Sequence, residues 1–416
     1  MPTTFWIGNQ RTTAQVDTLT ITAAGAAGDT VIATINTKNV TYTVVSGDTT
    51  STVASGLLAL LQSASAPPEF QELSYTVSSN VITCTAAVPG TPFTMTAFST
   101  GGATIVHAVA TTNQSPSDVN DAKNWLRSGV NSIPQNGDDV VVADSTVPLL
   151  WNLTALAAVT FASYTRWQNF TGQIGLPENN PNGYYEYRPT YFQFIGSAGT
   201  FTMQLGIGQI GTGPTLEKYD NLAQQTNVVV LASGAAQQDF NIYWKGSNAS
   251  NVLSIVGGVS VAIGMLPAET ATLASATVDG GALSLGSGVT FSGTLTVNGG
   301  TSTVLCAPAT LSLLNGAIVN VEGLALTYAT VTARSGSRLN WLANGTITTL
   351  TLTVGAILDK SADVRAMTIT NSTIDGDTCQ VLDPFNAITW TNATTINNQV
   401  FTGPFTFATG RSVKIT

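Results

Sequence analysis

The stretch GTLTVNGGTSTVLCAPATLSLLNG, Gly293 to Gly316, decides how the carboxyl-terminal part of this chain folds. Its runs GTLTV and ATLSL alternate hydroxyl and aliphatic residues, the period of a strand that buries one face. The texture continues on both sides. ASATV precedes it, YATVTA, TLTLTV and AMTITN follow, and turns such as DGG, NGG, LNG, RSGS and NST divide runs that recur roughly every 15 to 23 residues. That interval suits one coil of a right-handed parallel β-solenoid, in which no coil buries its apolar face alone and stacking supplies a continuous core. Between Ala282 and Leu358 the only charges are Glu322, Arg334 and Arg338. A stack tolerates this, because inward positions are apolar and outward Thr, Ser and Asn form ladders. A β-sandwich of irregular strands is the competing reading. Phe401, Phe405 and Phe407, in the closing NQVFTGPFTFATGRSVKIT, are expected to cap the open end.

The composition agrees with a mainly β chain that needs few ions. Of 416 residues, 9% are charged, far below the roughly 25% of ordinary soluble proteins, and 43% are hydrophobic. The net charge of −9 and 14 scattered basic residues argue against nucleic acid, whose binding needs clustered Lys and Arg. Cys84, Cys306 and Cys379 lie too far apart for a zinc site or a disulfide framework and read as buried thiols. The single histidine, His107 in ATIVHAVA, removes most catalytic triads and zinc hydrolases and reads as a strand residue without catalytic work. MPTTFWIGNQ has no basic segment followed by an apolar core, so synthesis in the cytoplasm without an export signal is expected. The longest nearly apolar stretch, Val252 to Leu266, is shorter than the ~20 residues a membrane helix needs and is broken by Gly and Ser.

Four segments are expected along the chain: an amino-terminal arm over 1–16, a small α+β module over 17–115, a central β-domain over 116–265 and the β-solenoid over 266–416. In the module TLTITA, DTVIATI and KNVTYTVV read as strands. Val53, Leu57, Leu60 and Leu61 then fall at helix spacing, after the capping run DTTS and before Pro67-Pro68. Strands resume with ELSYTV, NVITCTAA, PFTMTAF and ATIVHAVA. The series GDTVIATINTKNVTYTVVSGDTTSTVASGLLALL followed by SSNVITCTAAVPGTPFTMTA resembles a small module that recurs in bacteriophage virion and tail proteins, over about a quarter of the chain. The resemblance implies a non-catalytic assembly or decoration unit.

The central domain opens on NWLRSGVNSIPQNGDDVVVAD, Asn124 to Asp144. Trp125 is expected to cover the end of a β-stack with its N–H on a rim carbonyl. Pro134 and Gly137 set the turn, and the Asp138 side chain accepts backbone N–H groups there. In a strand Asp138 and Asp139 point to opposite faces and cannot share a proton or a substrate. Together with IGLPENNPNGYYEYRPTYFQFIG (Ile174 to Gly196) and the run from Tyr243 to Val278, the order Asn124-Trp125, Gly129, Pro134, Gly137-Asp138-Asp139-Val140 is similar to a family of β-helical virion structural proteins encoded in phage and prophage structural gene clusters. The resemblance implies location more than chemistry.

A β-helical fold invites comparison with polysaccharide lyases and hydrolases. Hydrolysis needs two carboxylates separated by about 5 to 9.5 Å. Asp375 with Asp377 and Glu178 with Glu186 are the candidates, and Asp363 with Lys360 and Arg365 is the nearest grouping a lyase would use. Asp375, Asp377 and Asp383 offer oxygen ligands to calcium, at a spacing that matches no known loop. Ordinary turns and surface pairs account for all of these, so no catalytic residue, metal or cofactor is expected. The aromatic segment GYYEYRPTYFQF, read as an extended strand, sets Tyr185, Tyr187 and Pro189 on one side and Tyr184, Glu186 and Arg188 on the other. Tyr184, Tyr185, Tyr187, Arg188 and Tyr191 then form either a surface for a host glycan or a subunit, or a packed strand with a Glu-Arg surface pair.

The expectation is a non-enzymatic structural protein on the outside of a virion, as capsid decoration, head fibre or tail-associated protein, with other virion proteins as partners and a homotrimer by analogy with viral fibres. A polysaccharide-degrading tailspike and a bacterial surface adhesin are the alternatives.

Overall fold

The computed structural model describes residues 2–197, 199–207, 215–232, 240–265, 269–375, 378–401 and 413–414. The chain is mainly β, with a small α+β part near the amino terminus and a parallel β-solenoid of about 11 turns. One main ladder carries the solenoid. It runs from Asp139–Val142 through Ser163–Arg166, Phe201–Ile207, Thr226–Ala232 and Val252–Val256 to Ala271–Asp279, every pairing parallel. It continues through Val289–Asn298 and Thr310–Leu314 into the long strands Ile318–Ala333 and Arg338–Thr353, then Met367–Asp375 and Thr394–Ile396. A second parallel ladder, from Thr215–Asp220 to Gln380–Leu382, closes another wall. This uniform parallel register removes the sandwich alternative, whose sheets are antiparallel.

Alternation follows the strand period throughout. In Val289–Asn298, Leu295 and Val297 are buried while Thr294 and Thr296 face outward, and each stacks on its equivalent one coil on. At the corners Asn298 donates to Asp279 at 2.9 Å and Asn315 to Asn298 at 2.6 Å, and within the wall Asn340 donates to Asn320 at 2.7 Å. A positive φ of 69° and 72° at Gly299 and Gly300 turns the chain sharply between walls, and a Cβ on Gly300 would meet the Gly281 carbonyl oxygen at 2.1 Å.

The ladder crosses from Val252–Val256 to Ala271–Asp279 without a break, and one apolar core extends from Trp6 to Trp390, so the central domain and the solenoid are one stack. The amino-terminal arm belongs to the same stack. Thr3–Trp6 pairs in parallel with Asp139–Val142 and antiparallel with Trp125–Arg127. The module is therefore an insertion in the first coil, held at its neck by the bridge between Thr13 and Gln114.

The module has its own core, from Leu19 to Ile105. Its two antiparallel sheets run in the order Leu73–Ser78, Val81–Ala86, Val16–Ala23, Thr104–Thr111 and in the order Lys38–Thr43, Thr30–Ile35, Met95–Ser99. The helix Thr50–Leu61 starts at a Thr49–Thr52 capping box and buries Val53, Ala54, Leu57 and Leu61. Leu60 lies just outside that arc and is exposed, so the apolar stripe is narrower than its spacing suggests. His107 sits on Thr104–Thr111 with its Nε2 2.7 Å from the buried Asp17 carboxylate, tying two neighbouring strands. All three cysteines are buried, and burial pushes the Cys84 and Cys306 thiols up to about 12. Among the described residues no helix is long and apolar enough to cross a membrane. Phe405 and Phe407 lie outside the described residues, as does the side chain of Phe401.

Candidate functional site at the junction of module and solenoid

The opening coil is closed by two indoles. Trp6 and Trp125 are buried and meet edge to face with ring centroids 4.9 Å apart. Trp125 gives its N–H to the Val119 carbonyl at 2.8 Å, and Trp6 gives its own to Val147 at 2.9 Å. Pro134 is buried and Gly137 turns the chain with φ 82°. Asp138 is fully buried one residue later, where its carboxylate accepts from Thr4 at 2.8 Å, from Arg127 Nε and Nη2 at 2.8 and 3.0 Å, and from the Gln135 backbone N–H at 3.0 Å. Burial pushes its pKa up, but these bonds and the Arg127 charge outweigh it and hold the carboxyl below the usual Asp value. Asp139 points away and accepts from Ser163 at 2.6 Å. Asp138 thus pins three elements of the cap together, and most of its anchor is a guanidinium and a hydroxyl where the sequence suggested backbone N–H groups alone.

The aromatic segment is not one surface. Residues 184–191 are not an extended strand, and of the five proposed contact residues only Tyr185 is well exposed. Arg188 is buried between the two bodies of the protein. It holds Glu186 through two bonds of 2.6 and 2.8 Å, reaches Glu72 of the module at 3.4 Å and donates to the Pro92 carbonyl at 3.0 Å. Its guanidinium lies 5.1 Å from the ring centroids of both Trp151 and Tyr187, and Tyr187 packs on the module core. Tyr184 stacks on Tyr187 at 6.5 Å. Tyr191 turns into the solenoid, where its hydroxyl meets Glu269 and the Lys218 and Lys245 ammonium groups lie over its ring. The segment is a clamp between module and solenoid. Sequence alternation could not show this, because the partners Glu72 and Pro92 come from the inserted module.

Four of the acid groups considered for chemistry, Glu178, Glu186, Asp363 and Asp383, are held by structural partners. Glu186 is bound to Arg188, and Glu178 accepts from Lys218 at 2.7 Å. Asp363 lies between Lys360 at 2.9 Å and Arg365 at 3.0 Å. Burial pushes the Asp363 pKa up, but its bonds from Arg365 and Lys360 together outweigh that and bring it down to about 2. Lys360 is buried, gives a further bond to the Ala343 carbonyl at 2.8 Å, and has its pKa lowered by that burial. Asp383 spends its oxygens on the Ala387 and Ile388 backbone N–H groups, both at 2.9 Å. Asp377, and with it the pairing to Asp375 and the calcium candidate, lies outside the described residues. Among the described residues no three His, Cys, Asp or Glu side chains gather as metal ligands.

One polar cluster was not anticipated. Arg166 and Glu217 are fully buried inside the early coils and paired at 2.8 Å. Arg166 also donates to the Gly206 and Phe170 carbonyls at 2.6 and 2.8 Å, while Tyr219 gives its hydroxyl to Glu217 at 2.7 Å. The signal was present: in SYTR and TLEKYD a charge occupies the inward phase of an alternating strand.

Beside the clamp, the neck between module and solenoid leaves a groove of about 490 Å³. Phe93, Val109 and Asn113 line it from the module, Asp118, Asp121 and Asn152 from the solenoid, and none of its lining residues is basic. Burial pushes the Asp118 pKa up, and the neighbouring Asp121 adds to that while bonds from Asn152 and Asn120 oppose it. Asn113 is buried, and neither polar atom of its amide has a partner.

The chain matches no protein-family model and no curated protein.

Proposed function

We propose that this chain is a non-enzymatic structural protein of a bacteriophage particle, displayed on its exterior, with the solenoid as a stiff shaft and the inserted module at one end as its assembly unit. The fold is compatible with phage fibres, tailspikes and adhesins alike. The observation that favours a structural role is the use of charge. The carboxylates of Asp138, Glu178, Glu186, Asp363 and Asp383 all serve as anchors for turns, caps or the clamp, and each has donors already in place. A hydrolase or lyase needs acids whose protons are free to move to a substrate. A clamp as elaborate as that around Arg188 fixes how the module sits on the shaft, as an assembly part requires.

The test is mass spectrometry of purified phage particles split into heads and tails. The protein is expected in one fraction at stoichiometric abundance. Its absence from particles, or release of oligosaccharides from host polysaccharide by the purified chain, would overturn the reading.

A further inference from the structure

The outer wall of the early coils has a hollow at Gly206. Arg166, Leu205 and Val230 stack in register and are buried, so strand alternation turns Trp167, Gly206 and Leu231 outward, one above another on three successive coils. The glycine leaves a gap in that column. Even a Cβ on Gly206 would lie 3.2 Å from the Gln168 backbone nitrogen and 3.6 Å from the Trp167 carbonyl carbon, so the floor of the gap is bare backbone. Trp167, Leu231, Gln168 and Gln204 line the resulting groove, of about 280 Å³. Trp167 is 54% exposed, whereas the other six tryptophans are 9% exposed or less. The Gln168 and Gln204 side chains are exposed too, and neither amide has a hydrogen-bond partner among the described residues.

We infer that this groove binds one neutral sugar ring, a pyranose held between Trp167 and Leu231. Neighbouring coils stand about 4.8 Å apart, so the backbones of those two residues flank the Gly206 floor at roughly 9–10 Å from each other. A ring standing on the floor meets both walls at carbon contact distances of roughly 3.5–4.0 Å. The indole and the leucine then cover its C–H faces, while the two amides, each with donors and an acceptor, take hydroxyls at its rim. Charged ligands fit less well. Of the described lining residues only Arg166 carries a charge, and its guanidinium is buried against Glu217 and the Gly206 and Phe170 carbonyls. A phosphate finds no open cation there, and a metal finds no carboxylate. An apolar side chain of a partner would use the two walls and leave both amides unmatched. The volume is just under that of drug-sized sites, which suits a single ring better than a chain of them.

Because Trp167 is the one well-exposed indole, acrylamide quenching of tryptophan fluorescence reads the groove directly. Titrating the full chain with glucose, galactose, rhamnose and N-acetylglucosamine is expected to give saturable protection from quenching with at least one of them. Saturation-transfer NMR with that sugar should then show binding about tenfold weaker in Trp167→Ala and about fivefold weaker in Gln204→Ala. Both side chains are exposed, so the melting temperature should not move. The inference is overturned if none of the four sugars protects the indole, or if either variant binds as the parent does. Quenching that falls as the sugar-free chain is concentrated would also overturn it, marking Trp167 as a contact between copies. Sugar binding that fails while the protein is still found in particles sinks the groove and spares the virion role; the reverse pattern does the opposite.

Discussion

The coils between Asp139 and Ile263 and those between Ala271 and Ile396 share one ladder but are built from different materials. In the early coils Ser163 pairs with Thr202, 39 residues on, and Thr202 with Asn227, 25 on. The late coils step more evenly, from Thr310 to Thr330 and from Thr330 to Thr349. The early core holds Tyr164, Phe192, Phe194, Phe201 and Tyr219 around a buried ion pair, and the late core is mostly Leu, Val and Ile. Parallel stacking thus requires a constant register on the wall, not a constant coil length. Long loops and buried polar groups are accommodated wherever their hydrogen bonds close.

The sharpest way to break this comparison is Arg166→Met. It strands Glu217 in the core and is expected to destabilise the early coils by about 3–5 kcal/mol, read from the denaturant midpoint. Adding Glu217→Leu should recover most of the loss, whereas equal loss in both variants would mean the pair is not the partner set described. Next in size, Asp138→Ala is expected to cost about 1–3 kcal/mol by releasing Arg127, Thr4 and Gln135. Because the folded pKa of Asp138 is depressed, its contribution is complete above the unfolded value of ~3.9 and lost as pH falls through the lower folded value. Asp138→Asn should accordingly flatten the acid limb of the stability curve. An acid limb unchanged by that substitution would contradict the assignment.

Smaller contrasts use the same residue in both regions. Trp244 gives its N–H to Asn221 at 2.5 Å, and the indole N–H of Trp341 has no partner. Trp244→Phe should therefore cost about 1 kcal/mol more than Trp341→Phe in thermal unfolding. Equal costs would show that the early polar network adds no stability. The smallest effect, about 0.5 kcal/mol, is expected from Asn340→Ala, which cuts one part-buried amide pairing.

The same contrast explains what was legible in the sequence. The late coils could be read from GTLTV and ATLSL because short turns keep the strand runs close to a fixed spacing. The early coils follow the same wall geometry, but loops such as GLPENNPNG separate the runs, so they read as a different domain. The first rung, Thr3–Trp6, could not be recognised at all, because its parallel partner at Asp139 lies beyond an inserted module. Asp138 and Trp125 were picked out as structural by their turn chemistry, yet the Arg127 anchor was not, since an i, i+11 pairing has no local pattern. The aromatic segment misled for a related reason. Its composition suits a binding surface, and only the approach of Glu72 and Pro92 from the module turns it inward.

The central claim is that a single stack runs from the cap to the last coil and carries the module at its first. Hydrogen exchange of the full chain, read by mass spectrometry across the ladder where Val252–Val256 meets Ser275–Asp279, tests this directly. Protection there is expected to match that of the pairings on either side, from Thr226–Ala232 to Thr310–Leu314. A band of fast exchange confined to that seam would mean two separately packed bodies and would contradict it.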